Sequence, residues 1–245
     1  MELGLKGKKA LVEGASSGLG YAIAEALVAE GVRVAIASSN IDRIKKAASE
    51  IGASAYFEAN LDNPGAGSAL VEKVAQDLGG LDILITNTAG PKVAPFLEIS
   101  TKDWETGFQR VYLSAIDSIR AALPMMKTQK HGRTILLTSC AAKEPIPRLT
   151  ISNGLRAGLL GLMKSVSNEV AGDGITVNSV LPGFAKTEAL SRLKLDEEKL
   201  VSQIPAKRIG EPREIAALFV FLASEAASYI TGQAIACDGG YLKSF

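Results

Sequence analysis

Lys9-Ala-Leu-Val-Glu-Gly-Ala-Ser-Ser-Gly-Leu-Gly20 reads as a short buried strand, a glycine-rich turn and the start of a helix. Ala10, Leu11 and Val12 supply the apolar strand. Gly14, Gly18 and Gly20 follow in a G-x-x-x-G-x-G spacing. Glycine at these places lets the chain turn sharply and lets backbone N–H groups approach a diphosphate. The helix beyond aims its positive end at the same anion. Leu19, Ala22, Ile23, Ala26 and Leu27 fall at i, i+3, i+4, i+7 and i+8, and Gly31 stops the helix. The glycine spacing alone also describes an ordinary strand-to-helix turn. Strand, turn and amphipathic helix together are what dinucleotide binding requires.

Outward from this unit, strands alternate with helices. Val32 to Ala37 and Ala55 to Glu58 are strand patterns, separated by a helix from Ile41 to Ile51 that Gly52 closes. Ala66 to Leu78 is helical, and Leu81 to Thr86 is a buried strand. A long helical region runs from about Lys102 to Lys130, with Pro124 expected to break or kink it. Arg133 to Thr138, Ile175 to Leu181 and Ala234 to Cys237 are the remaining strands. Helices are expected over about Thr150 to Ala171 and Glu211 to Ala223, and the polar stretch Ala185 to Ser202 reads as a mobile helical flap. This order predicts an α/β fold: a Rossmann-type doubly wound parallel sheet of about seven strands with helices on both faces. Without repeats or a linker, residues 1–245 read as a single dinucleotide-binding domain.

Composition bounds the function classes. The chain is 47% hydrophobic and 22% charged, which suits one domain with a substantial core. A net charge of +1 gives no reason to expect nucleic acid or an anionic membrane as partner. Two cysteines, Cys140 and Cys237, make no disulfide framework and suit a reducing, cytoplasmic setting. The N-terminus lacks a signal-peptide pattern, and no apolar run is long enough to span a membrane. The single histidine, His131, reads as a surface turn residue beside Gly132, so no metal site is expected.

Further motifs carry a family resemblance. They are Gly14-Ala-Ser-Ser-Gly-Leu-Gly20, Thr86-Asn-Thr-Ala-Gly90, Val177-Asn-Ser-Val-Leu-Pro-Gly183 followed by Thr187, and Arg208 to Ile215 with Asp238-Gly-Gly-Tyr241. In this order they resemble the short-chain dehydrogenase/reductase family over nearly the whole chain, with 3-oxoacyl-carrier-protein reductases as the nearest broad likeness. The resemblance implies an NAD(P)-dependent oxidoreductase acting on a small carbonyl or alcohol, usually a homotetramer or homodimer. The cofactor positions it implies are Gly14, Ser16, Ser17, Gly18, Leu19 and Gly20, then Ser38, Ser39 and Asn40. Asn60, Leu61, Asn87, Arg156, Pro182, Gly183 and Thr187 complete them. Ser38 stands where NAD-binding relatives carry a carboxylate, and Arg43 is a nearby cation, so NADP is favoured over NAD.

The sequence departs from the family where the chemistry is done. Relatives use a Tyr-x-x-x-Lys pair, a Ser before it and an Asn on the long helix. Matching Ala157-Gly-Leu159 puts Ser152 at the Tyr position and Arg156 at the Lys position. Ser139 retains the Ser, and Tyr112 replaces the Asn. A serine hydroxyl is a far weaker acid than a phenol, whose reference pKa is about 10. Either the proton donor moved, with Tyr112, Lys143 or Glu144 as candidates, or the chemistry was lost. The alternative to an enzyme is therefore a non-catalytic nucleotide-binding protein, a sensor or structural subunit. A third reading is that even the cofactor no longer binds: Glu13 stands where Thr is usual, and a carboxylate close to the diphosphate turn adds slightly to that case by repulsion.

Overall fold

The computed structural model describes residues 2–192 and 196–244. Seven parallel strands form one sheet in the order β3-β2-β1-β4-β5-β6-β7. They are β1 (Lys9–Val12), β2 (Arg33–Ser38), β3 (Ala55–Glu58), β4 (Ile83–Thr86), β5 (Gly132–Leu137), β6 (Ile175–Pro182) and β7 (Ala234–Cys237). The order reverses between β1 and β4, so the chain leaves those two strands in opposite directions. That crevice at the carboxyl ends of the strands is where doubly wound sheets bind ligands.

Each face is covered because the buried strands are apolar on both sides. Ala10 and Val12 point into a core shared with α1 (Gly18–Ala29) and α9 (Pro212–Ala223). Leu11, between them, points into the opposite core, with α3 (Ala66–Leu78), α5 (Ser114–Gln129) and α6 (Thr150–Val170). Helix α2 (Ile41–Ile51) has the bounds that its pattern predicts: Asn40 caps its first turn by accepting from Arg43 N–H, and Gly52 ends it. Among the described residues, no helix is long and apolar enough to cross a membrane.

The long helical region differs from expectation. It divides into α4 (Thr101–Gly107), a wider π-type turn over Phe108–Leu113, and α5. The interruption is thus not at Pro124, which lies inside α5. Proline there leaves free the carbonyl of Arg120, an exposed residue that water can serve. The π-type turn lies instead against α6, where the Tyr112 ring is 3.1 Å from a Cβ position on Gly158, and against the loop after β4, where Arg110 donates to the Gly90 carbonyl. The polar stretch after β6 contains two short helices, α7 (Glu188–Arg192) and α8 (Glu197–Gln203). Residues 193–195 of the expected flap lie outside the described residues. His131 is not a free surface turn: its Nε2 lies 3.1 Å from Lys8 Nζ, and burial with Arg133 and Lys8 pushes its pKa down.

Candidate functional site

The glycine turn leaves β1 at the switch point. Gly14 has φ +58°, a conformation that side chains rarely adopt. A Cβ at Gly20 would overlap the Gly14 carbonyl oxygen, so only glycine lets α1 begin so close to the turn. Ser17 caps α1 with no side-chain hydrogen bond, and the first turn holds no acidic residue. The leading N–H groups of α1 therefore keep their capacity for an anion. Ser16, Ser17, Gly18 and Leu19 are half-buried around this cradle.

Neighbouring strand ends converge on it. Asn87, after β4, donates from Nδ2 to the Gly14 carbonyl at 3.1 Å. Ser38, at the end of β2, donates to Ser16 Oγ at 3.1 Å. Ser39 is exposed beside it, and the Asn40 side chain is engaged in capping α2. Asn60 and Leu61 follow β3, and Asn60 Oδ1 accepts from Asp62 N–H at 3.1 Å. Pro182 ends β6, and Gly183 N–H donates to the Cys237 carbonyl at 3.0 Å. Thr187 comes within 3.6 Å of a Cβ position on Gly18, so the segment after β6 lies against the glycine turn.

Ser139, Ser152 and Arg156 gather at the end of β5. Ser139 Oγ accepts from Ala141 N–H at 3.1 Å and lies 4.0 Å from Cys140 Sγ, a weak contact in which either atom can donate. Ser152 and Arg156 sit one turn apart on α6, and both are buried. Arg156 Nε donates to Ser152 Oγ at 3.1 Å, and Nη1 donates to the Leu137 and Thr138 carbonyls at 3.1 Å each. The cation thus lies against the two residues that lead into Ser139. No carboxylate among the described residues pairs with it, and burial alone pushes its pKa down to about 10. A buried guanidinium held only by neutral acceptors keeps its charge near neutrality and has unspent capacity for an anion.

Glu13 does not face the diphosphate turn. Strand alternation gives it the Leu11 side of the sheet, where Ser118 of α5 donates to Oε1 at 2.6 Å. Burial pushes its pKa from 4.5 up to about 7, against the donations from Ser118 and the Asn87 backbone, and Oε2 has no partner. Both its direction and its raised pKa weaken the expected repulsion.

Tyr112 has no hydrogen bond to Ser139, Ser152 or Arg156 among the described residues. Its ring stacks on Phe108, with centroids 5.3 Å apart, and lies 3.1 Å from a Cβ position on Gly158. Gly158 is two residues past Arg156 and so on another face of α6. Tyr112→Phe is accordingly expected to keep kcat and KM within about twofold of the parent, the range of a neutral surface substitution. Steady-state turnover checks this, and a hundredfold loss in kcat would place the hydroxyl in the chemistry. Glu144 is also occupied: it accepts from Lys243 and Ser244 N–H at 2.7 Å each, which pins the C-terminal tail and holds the carboxyl below its ordinary range. Lys143 is exposed beside it.

Two supports of the site escape linear reading. Arg110 donates to both Asp62 oxygens and to the Gly90 carbonyl, tying the turn after β3 to the loop after β4. Asn153 holds the loop after Ser139 on α6, accepting from Ile146 N–H at 3.2 Å and donating to its carbonyl at 3.0 Å. The first pairing spans 48 residues with no periodic signal. The second was hinted at only by an Asn beside Ser152.

A family model described as "Enoyl-(Acyl carrier protein) reductase" matches residues 14–242. The chain is 38% identical over 240 residues to nodulation protein G of Rhizobium sp. (strain N33), covering 96% of this chain and 97% of that protein. It is 33% identical over 247 residues to 3-oxoacyl-(acyl-carrier-protein) reductase FabG of Escherichia coli (strain K12), covering 97% and 98%. L-Sorbose reductase from Gluconobacter frateurii, solved with NADPH and L-sorbose, superposes with a TM-score of 0.94 at 30% identity, covering 100% of each chain. With a switch-point glycine turn, a seven-stranded parallel sheet and relatives matched end to end, the chain belongs to the short-chain dehydrogenase/reductase family.

Proposed function

We propose that residues 1–245 act as one dinucleotide-binding domain of an NADP-dependent reductase, with Ser139, Ser152 and Arg156 working where relatives use a tyrosine–lysine pair. The substrate is a small carbonyl, or the matching alcohol in reverse. The observations that carry this reading are the uncapped start of α1 at the glycine turn and, at the end of β5, a buried cation that no carboxylate among the described residues pairs with. Gly14, Ser16, Ser17, Gly18, Leu19 and Gly20 would hold the diphosphate. Ser38, Ser39, Asn40, Asn60 and Leu61 would hold the adenosine end. Asn87, Pro182, Gly183 and Thr187 would hold the nicotinamide end, and Arg156 the ribose beside it. Ser38 offers a hydroxyl where a carboxylate would repel a 2′-phosphate, and the sorbose reductase neighbour holds NADPH.

Bound nicotinamide supplies hydride to a carbonyl carbon, or takes it from an alcohol carbon. The residues supply the rest. Ser152 accepts from Arg156 and Ser139 accepts from Ala141 N–H, so each could turn its own proton toward a substrate oxygen, Ser139 by giving up its weak 4.0 Å contact with Cys140 Sγ. Arg156 adds a fixed positive charge beside them, which offsets negative charge developing on that oxygen. The guanidinium is no proton source near neutrality, and a serine hydroxyl is too weak an acid to give up a proton alone, so a serine would relay the proton, taking one from water in the same step as it gives its own to the oxygen. A cytoplasmic homotetramer or homodimer belongs to the same reading, and exposed Phe96, Leu97 and Phe108 offer apolar surface to a second copy.

The lack of a phenol beside Arg156 also fits a nucleotide-binding protein without turnover. A panel of 3-oxoacyl thioesters, ketoses and simple ketones separates the readings. Carbonyl-dependent loss of NADPH absorbance is the expected result. NADPH binding with no turnover across the panel would favour the non-catalytic reading.

A further inference from the structure

The adenosine end of the cleft carries an ion pair that the nucleotide chemistry does not need. Arg43, in the first turn of α2, donates from Nη2 to Glu188 Oε2 at 3.0 Å. Glu188 opens α7, directly after Thr187, which lies against Gly18. The pair therefore joins the helix after β2 to the segment after β6, across the glycine turn. Glu188 has a second partner on its own helix: Arg192 Nη2 donates to the same Oε2 at 3.1 Å. Arg43 is bonded through its backbone N–H to the Asn40 side chain, so its α-carbon is fixed just past the end of β2. That end is where Ser38 meets Ser16.

We propose that Arg43 selects the 2′-phosphate of NADP(H) and that Glu188 is its internal competitor, released onto Arg192 when the phosphate takes Arg43. The inference rests on the NADP reading above. A phosphate is a stronger partner for a guanidinium than a single carboxylate oxygen, because it offers several charged acceptors to the fork. The exchange costs little on the protein side: the Arg43–Glu188 pair is about half exposed, and such pairs contribute only modestly. Glu188 keeps a cation throughout, through Arg192. A nucleotide without the 2′-phosphate has nothing to offer Arg43, so the carboxylate stays on it. Glu188 then weakens binding only of ligands that carry the phosphate. Asp42, the acidic residue of the same turn of α2, is unchanged in every variant below and cancels from the comparison.

The test is a calorimetric titration of full-length protein with 2′,5′-ADP and with 5′-ADP, which differ only in that phosphate. Wild type is expected to bind 2′,5′-ADP the more tightly. Arg43→Gln should weaken 2′,5′-ADP roughly tenfold or more, the worth of a charge-assisted bond, and leave 5′-ADP unchanged. Glu188→Gln should tighten 2′,5′-ADP by roughly two- to fivefold, the scale of an exposed ion pair, and again leave 5′-ADP unchanged. In the double variant the Glu188 effect should vanish. If wild type shows no preference for 2′,5′-ADP, the NADP reading fails and this inference with it. If the preference holds but Glu188→Gln changes nothing, or changes both ligands alike, the competition alone is refuted.

Discussion

Arg156→Met is expected to lower kcat/KM for carbonyl reduction by roughly 10²–10³-fold, the cost of removing one charged or hydrogen-bonding stabiliser of a developing oxyanion. The loss should not come from unfolding. Arg156 is buried with no counter-ion among the described residues, so methionine removes an uncompensated charge while giving up three bonds to Ser152, Leu137 and Thr138. Replacing buried charge by an apolar side chain of similar length is often neutral for stability. Steady-state kinetics with a parallel thermal melt check both halves. Arg156→Lys restores a charge but not the planar fork that spans Ser152 and two carbonyls, so partial recovery is expected. Wild-type kcat/KM in Arg156→Met would remove the cation from the chemistry.

Glu13→Gln is expected to abolish a pH dependence of stability that the parent carries. The Glu13 carboxyl is raised from 4.5 to about 7, because burial penalises its ionised form. Below pH 4.5 it is protonated in folded and unfolded chains alike, and it imposes no penalty. Between 4.5 and about 7 the unfolded chain ionises while the folded chain holds its proton, so stability falls as pH rises. Above 7 the full difference is lost, on the order of 3 kcal/mol. Glutamine cannot ionise and should lack this slope. The variant should therefore gain on wild type from pH 5 to 8, by roughly 5–10 °C in melting temperature. Melts across that range check it, and parallel curves would show that Glu13 does not titrate there.

The sequence showed much of the fold because its punctuation is local. Asn40 and Gly52 bracket α2, Gly79 and Gly80 close α3, and the buried strands are near-continuous apolar runs. Where the controlling contact is distant, reading along the chain failed. Pro124 drew attention as a helix breaker, yet the interruption lies at Phe108–Leu113, just past Gly107, where a side chain would meet Ile151 of α6, a neighbour distant in sequence. Glu13 looked like a charge beside the phosphates, because its direction depends on the face its strand gives it and its charge on a burial invisible in one dimension. The contacts of the Tyr112 ring with Phe108 and with α6 at Gly158 were likewise not legible along the chain. The Arg43–Glu188 pair, 145 residues apart, left no trace in spacing at all.

The measurement that bears most directly on the account is a titration of purified protein with NADPH and NADH, followed by nicotinamide fluorescence. The account predicts saturable binding of both, with NADPH the tighter, since Ser38 stands where a carboxylate would reject its phosphate and Arg43 is a cation nearby. Failure of folded protein to bind either nucleotide, or tighter binding of NADH, would contradict it.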